Sequence, residues 1–129
     1  MATRSRIGIK RPDGTVKSIY CHFDGYPEGV GKVLLENYQS EEKITQLISL
    51  GDLSSLGAEI GEKTDFMNPK DGQCVAYMRD RGEEGCGAIC EFTESSYTKP
   101  DKLIDYKYLW KDGSWFINRN KGEFAPLIL

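Results

Sequence analysis

The chain has 129 residues, of which 39% are hydrophobic and 29% charged, which suits one domain with a buried core and excludes a disordered or membrane-embedded polymer. Its 17 basic and 20 acidic residues leave a formal net charge of −3. That balance argues against general nucleic-acid binding, which needs clustered Lys and Arg to displace counterions, and it lacks the dense carboxylates of a DNA mimic. No apolar run approaches the ~20 residues of a membrane-spanning helix, and the basic start Met1–Arg6 runs into no apolar stretch. The expectation is a cytoplasmic protein with Cys21, Cys74, Cys86 and Cys90 as free thiols.

Residues 5–23 read as a β-hairpin, with Ile7 and Ile9 alternating and Pro12-Asp13-Gly14 supplying the turn. Alternation places Ser18, Tyr20 and His22 on one face of the return strand and Ile19, Cys21 and Phe23 on the other. Asp24–Gly29 is a loop punctuated by glycine and proline. Val30, Val33, Leu34 and Tyr38 then share one helical face over 30–38. Ser40 caps a second helix with Glu41 and Glu42 in its first turn, Ile44, Leu47 and Ile48 as its apolar stripe, and Gly51 at its end.

Leu53 and Leu56 fix a turn onto the core, and the glycine-rich 57–72 stretch is a loop. Cys74–Met78 reads as a short strand, 79–85 as a charged turn, 86–92 as the returning strand, and 93–102 as polar loop. The last hairpin is the clearest element: 104–110 alternates, and Asp112-Gly113 sets Trp110 opposite Trp115, Leu109 opposite Phe116, and Tyr108 opposite Ile117. The apolar tail Phe124–Leu129 either packs on the core or docks a partner. Six strands and two helices in one domain, 1–129, give an α+β fold: an antiparallel β-sheet built from hairpins with two short helices packed on one face.

No stretch carries a complete catalytic motif. Gly29-Val30-Gly31-Lys32 invites a phosphate-loop reading, but five residues separate Gly25 from Gly31, and Val33 stands where the Mg²⁺-binding hydroxyl belongs. Lys32 beside a helix N-terminus keeps anion binding open. Cys86-x3-Cys90 with Cys74, Cys21 and His22 offers soft zinc ligands, yet only one tight pair exists. The deaminase pattern H-x-E…P-C-x-x-C also fails. The expectation is no cofactor and no metal, with Cys86 and Cys90 the residual zinc question. Adjacent strand residues face apart, so Cys21 cannot activate His22, the one histidine.

Ser18, Tyr20, His22, Asp24 and Tyr26 instead form a polar-aromatic series leading into the loop, either a recognition surface or the wet face of a sheet. Arg79 and Arg81 form a candidate anion fork or a solvated turn. The aromatic run from Tyr106 to Phe116 is a base-stacking platform or, as burial statistics favour, a packed hairpin.

The stretches Ser18–Gly31, Leu50–Gly57 and Val75–Glu83 resemble a group of small bacteriophage and prophage proteins. The resemblance carries no residue role. It implies a phage accessory gene acting in a bacterium. The reading is a non-enzymatic accessory protein that binds and inhibits or sequesters a host component, either a host protein or a signalling nucleotide. Its binding residues are Tyr20, His22, Asp24, Tyr26, Lys32, Arg79 and Arg81. Nucleic acid and membrane are not expected partners, and self-association is open. The alternatives are a small hydrolase or nuclease using His22 and Asp24, and a virion or assembly component using the apolar tail.

Overall fold

The computed structural model describes residues 2–120 and 122–128. Strands β1 (Ser5–Lys10) and β2 (Val16–Cys21) pair antiparallel, with Ile7 opposite Ile19 and Arg6 opposite Tyr20. Asp13 closes their turn, because its carboxylate accepts the Thr15 N–H at 3.0 Å and the Thr15 hydroxyl at 2.6 Å.

One π-helical turn, Pro27–Gly31, runs into α1 (Lys32–Asn37), and α2 (Glu41–Ser49) follows. The Ser40 hydroxyl accepts the Lys43 N–H at 3.2 Å as the expected cap. Val30, Leu34, Tyr38, Ile44, Leu47 and Ile48 bury against Ile7, Ile9 and Ile19 of the sheet. Gly51 ends α2 in the left-handed region at φ 78°.

The second hairpin, β6 (Tyr106–Lys111) and β7 (Ser114–Asn118), has the register that alternation predicts: Tyr108–Ile117, Leu109–Phe116 and Trp110–Trp115. Asp112 and Gly113 both take positive φ, 52° and 76°, as a type I′ turn requires. Trp115 is 2% exposed, and its indole N–H donates to the Tyr38 carbonyl at 2.8 Å. The hairpin is therefore core rather than platform. The tail also packs: β8 (Ala125–Pro126) pairs with β7 and Leu127 is buried, while Ile128 is exposed and Leu129 lies outside the described residues.

Short elements complete the sheet: β3 (Leu53–Ser55), β4 (Val75–Ala76) and β5 (Ile89–Glu91). The strand order is β4-β3-β2-β1-β6-β7-β8, with β5 also on β2. The sheet is thus α+β but mixed, which corrects the purely antiparallel expectation: β1–β6 and β2–β3 are parallel. Hairpin signals fix only neighbours in sequence. The free edge of β1 goes to β6 because Ile7 and Ile9 then lie beside Tyr108 and Trp110 on the helix-covered face.

Four further expectations change. Cys74–Met78 is a two-residue strand followed by α3 (Tyr77–Arg81), which Gly82 ends at φ 68°. The 86–92 stretch returns to β2 rather than to β4. The polar 93–102 stretch contains α4 (Glu94–Tyr97), capped by Thr93, whose hydroxyl accepts the Ser96 N–H at 3.0 Å. α4 also means that helices do not keep to one face. It sets Tyr97 over Gly8, where a Cβ would stand 3.1 Å from the phenol, in a second small core with Val16, Leu109 and Phe124. Among the described residues no helix is long and apolar enough to cross a membrane.

Candidate functional site

The polar-aromatic series begins where β2 runs beyond its pairing with β1. Tyr20 lies on the face away from α1 and α2, and its backbone N–H donates to the Asp52 carboxylate at 2.9 Å. The N–H groups of His22 and Phe23 continue onto Leu53 and Ser54 carbonyls at 3.0 and 3.1 Å. Held this way, the Tyr20 hydroxyl and His22 Nδ1 lie 2.7 Å apart. The His22 ring meets Phe23 edge-on, with centroids 4.6 Å apart. Burial holds the Tyr20 phenol above its ordinary pKa, and the nearby Arg4 charge opposes that shift.

Phe23 departs from the alternation that places it on one face with Ile19 and Cys21, which are both buried. It is 46% exposed, because Asp24 turns the chain through the left-handed region at φ 57° directly after it. The turn is rigidly held. The Gly25 N–H donates to the Thr3 carbonyl at 2.9 Å, the Gly25 carbonyl accepts the Tyr108 hydroxyl at 2.7 Å, and the Val30 N–H donates to the Asp24 carbonyl at 2.8 Å. A Cβ at Gly29 would collide with the Asp24 carbonyl, so that close approach demands glycine. Tyr26 then donates its hydroxyl to the Asp24 carboxylate at 3.3 Å. That negative charge, more than burial, holds the Tyr26 phenol above its ordinary pKa.

The structure gathers some of the remaining candidates and separates others. Tyr20 with His22, and Asp24 with Tyr26, make two adjoining pairs, so His22 and Asp24 share no hydrogen bond. Lys32 is exposed on the outside of α1, and the Gly29, Val30 and Lys32 N–H groups are spent on carbonyls of the turn rather than offered to an anion. Arg79 is also engaged. It clasps Asp80 and donates to the carbonyls of Ile60, Gly61 and Cys74 at 2.9, 3.2 and 2.8 Å. Asp80 in turn accepts the Ala76 and Thr64 N–H groups. Burial pushes the Asp80 carboxyl up, but Arg79 and the two N–H donors prevail and hold it below the ordinary carboxylate value. Arg81 pairs with Glu83 and lies over Phe66 and Tyr77, 4.6 and 4.9 Å from the ring centroids. The Tyr77 N–H donates to the Asp52 carbonyl, so one residue supports both this stack and Tyr20.

Among the described residues no thiol is hydrogen-bonded to the imidazole. Cys21 and Cys74 are buried, and burial pushes the Cys21 thiol up to about 12, where it is neutral and inert. The Cys86 and Cys90 thiols donate to backbone carbonyls, of Glu84 and Glu91. Among the described residues no three His, Cys, Asp or Glu side chains converge as a metal site. The arrangement offers contact area and hydrogen bonds rather than a paired nucleophile. Comparison of the chain with protein-family models, curated proteins and solved structures gives no match.

Proposed function

We propose that the chain is a non-enzymatic binding protein of the phage-accessory kind, which acts in the cytoplasm of a bacterial host by occupying a host protein. The observation that carries this reading is the rigid ridge of Tyr20, His22, Phe23, Asp24 and Tyr26 at the end of β2. Its one imidazole is bonded to a phenol instead of a carboxylate or thiol, which suits recognition and not general-base chemistry. Tyr, His and Phe give flat contact area with polar tips, and a backbone already fixed on Thr3 and Tyr108 has little left to order on binding. Arg81, lying over the paired rings of Phe66 and Tyr77, adds the same type of surface.

The test is capture from bacterial lysate with the tagged chain and with a Phe23→Ala, Tyr26→Ala double variant. Both side chains are exposed, so the fold persists without them. A partner enriched by the native chain and lost by the variant is the expected result. A lysate that yields no enriched protein, or one retained equally by the variant, overturns the reading.

A further inference from the structure

A second site lies at the other side of β1. The chain before β1, the stretch from Lys102 into the start of β6, and Arg119 just past β7 border an open cleft of about 620 Å³. That volume is within the range of small-ligand sites. Arg4, Lys102 and Arg119 line it, with Asp105, Leu103 and Tyr106. Three cations face one carboxylate here, in a chain whose formal charge is −3.

The protein does little to neutralise those cations. The ion pairs among the described residues join Lys10 and Lys111 to Glu94, Arg79 to Asp80, and Arg81 to Glu83. None uses Arg4, Lys102 or Arg119. The one carboxylate in the cleft is tied to the backbone: Asp105 accepts the Arg4 N–H at 3.0 Å and thereby locks β1 beside β6. The Arg4 Nε is enclosed and has no acceptor. The Arg4 guanidinium lies beside the Tyr20 phenol, whereas Lys102 and Arg119 are exposed at the cleft and take part in none of those ion pairs, a surplus of positive charge that a bound anion would offset.

We infer that this cleft binds a small anion bearing consecutive phosphates, a di- or triphosphate, through Arg4, Lys102 and Arg119. Three separated cations match the several charges of a polyphosphate better than the single charge of a carboxylate. Two of the three are guanidinium forks, whose paired N–H groups fit phosphate oxygens. Leu103, 66% exposed, and the half-buried Tyr106 give the cleft an apolar wall, on which a nucleoside attached to those phosphates would lie. Arg4 also lies beside Tyr20 of the ridge, so the two sites adjoin, and the assignment is tested through Lys102 and Arg119, which belong to the cleft alone.

Calorimetric titration of the full chain with inorganic tripolyphosphate and with ATP, at about 50 mM salt, tests the assignment. The comparison variant is Lys102→Ala with Arg119→Ala, two exposed side chains whose removal leaves the fold intact. The control is Lys63→Ala with Lys70→Ala, exposed lysines of the loop at the opposite edge of the sheet. The native chain and the control should bind alike, and the comparison variant about tenfold more weakly or worse. Binding of both ligands points to the phosphates alone, and binding of ATP only adds the Leu103–Tyr106 wall; either supports the site. No heat with either ligand at millimolar concentration overturns it, as does unchanged binding by the comparison variant. A short single-stranded oligonucleotide that binds more tightly than ATP and is lost in the same variant overturns the small-ligand assignment.

Discussion

The β6–β7 hairpin and the segment from β3 to β5 are held in place by opposite means. The hairpin follows from local chemistry. Asp112-Gly113 sets the turn, alternation sets the faces, and Tyr108, Leu109, Trp110, Trp115 and Ile117 are all buried. The 53–91 segment buries little besides Leu53, Cys74, Val75 and Ala76, and its strands are two or three residues long. Its loop is gathered instead by one ion pair, in which Arg79 holds three carbonyls and Asp80 two N–H groups. Apolar burial tolerates small shifts of geometry, whereas a polar clasp fails as a unit when one member goes.

The largest effect is expected from Trp115→Ala, which empties a fully packed site and leaves the Tyr38 carbonyl without its donor. It should cost about 3–5 kcal/mol in denaturant unfolding, followed by tryptophan fluorescence of the remaining Trp110. Asp80→Ala should cost about 2–3 kcal/mol, since it strands the Arg79 charge and two N–H groups. Its signature differs from that of Trp115→Ala: limited proteolysis should cut the 57–74 stretch while the hairpin stays protected. Equal protection of the two regions in that variant would show that the clasp does not hold the loop.

Acid should separate the regions in the same direction. The Asp80 carboxyl lies below its ordinary value in the folded chain. Its contribution is therefore complete above the unfolded carboxyl pKa and is lost as pH falls below about 4 through the lowered folded value. Asp80→Asn should flatten that acid limb, and a limb as steep as in the native chain would assign the loss to other carboxylates. The smallest change is Gly113→Ala, which places a Cβ at φ 76° and should cost about 1 kcal/mol in the hairpin alone. Thermal unfolding measures it, and a cost several times larger would mean that the turn carries more of the hairpin than its packing does.

The same contrast decides what the sequence can reveal. Trp110 opposite Trp115 is readable because the turn and the alternation are both local. The Tyr20–His22 pairing on one face is readable for that reason too. Phe23 is not, because alternation stops applying where the strand stops and Asp24 turns the chain. Cys74–Met78 is a short apolar run, in which periodicity does not separate strand from helix; Gly82 just beyond Arg81 was the available sign of a helix end. The engagement of Arg79 depends on carbonyls at 60, 61 and 74, and the cleft depends on Arg4, Lys102 and Arg119 meeting across the whole chain. Neither is written in any window of residues.

The parallel pairing of β1 with β6 has a consequence for how the protein is made. Arg4 and Asp105, whose contact opens that pairing, are 101 positions apart. At about 5–20 residues per second a ribosome takes roughly 5–20 s to deliver β6 after β1 has emerged. Throughout that interval one full edge of β1 has no neighbour, and any fragment that stops short of residue 106 keeps it open. Premature termination should therefore yield sticky, aggregation-prone fragments rather than a smaller working version of the protein.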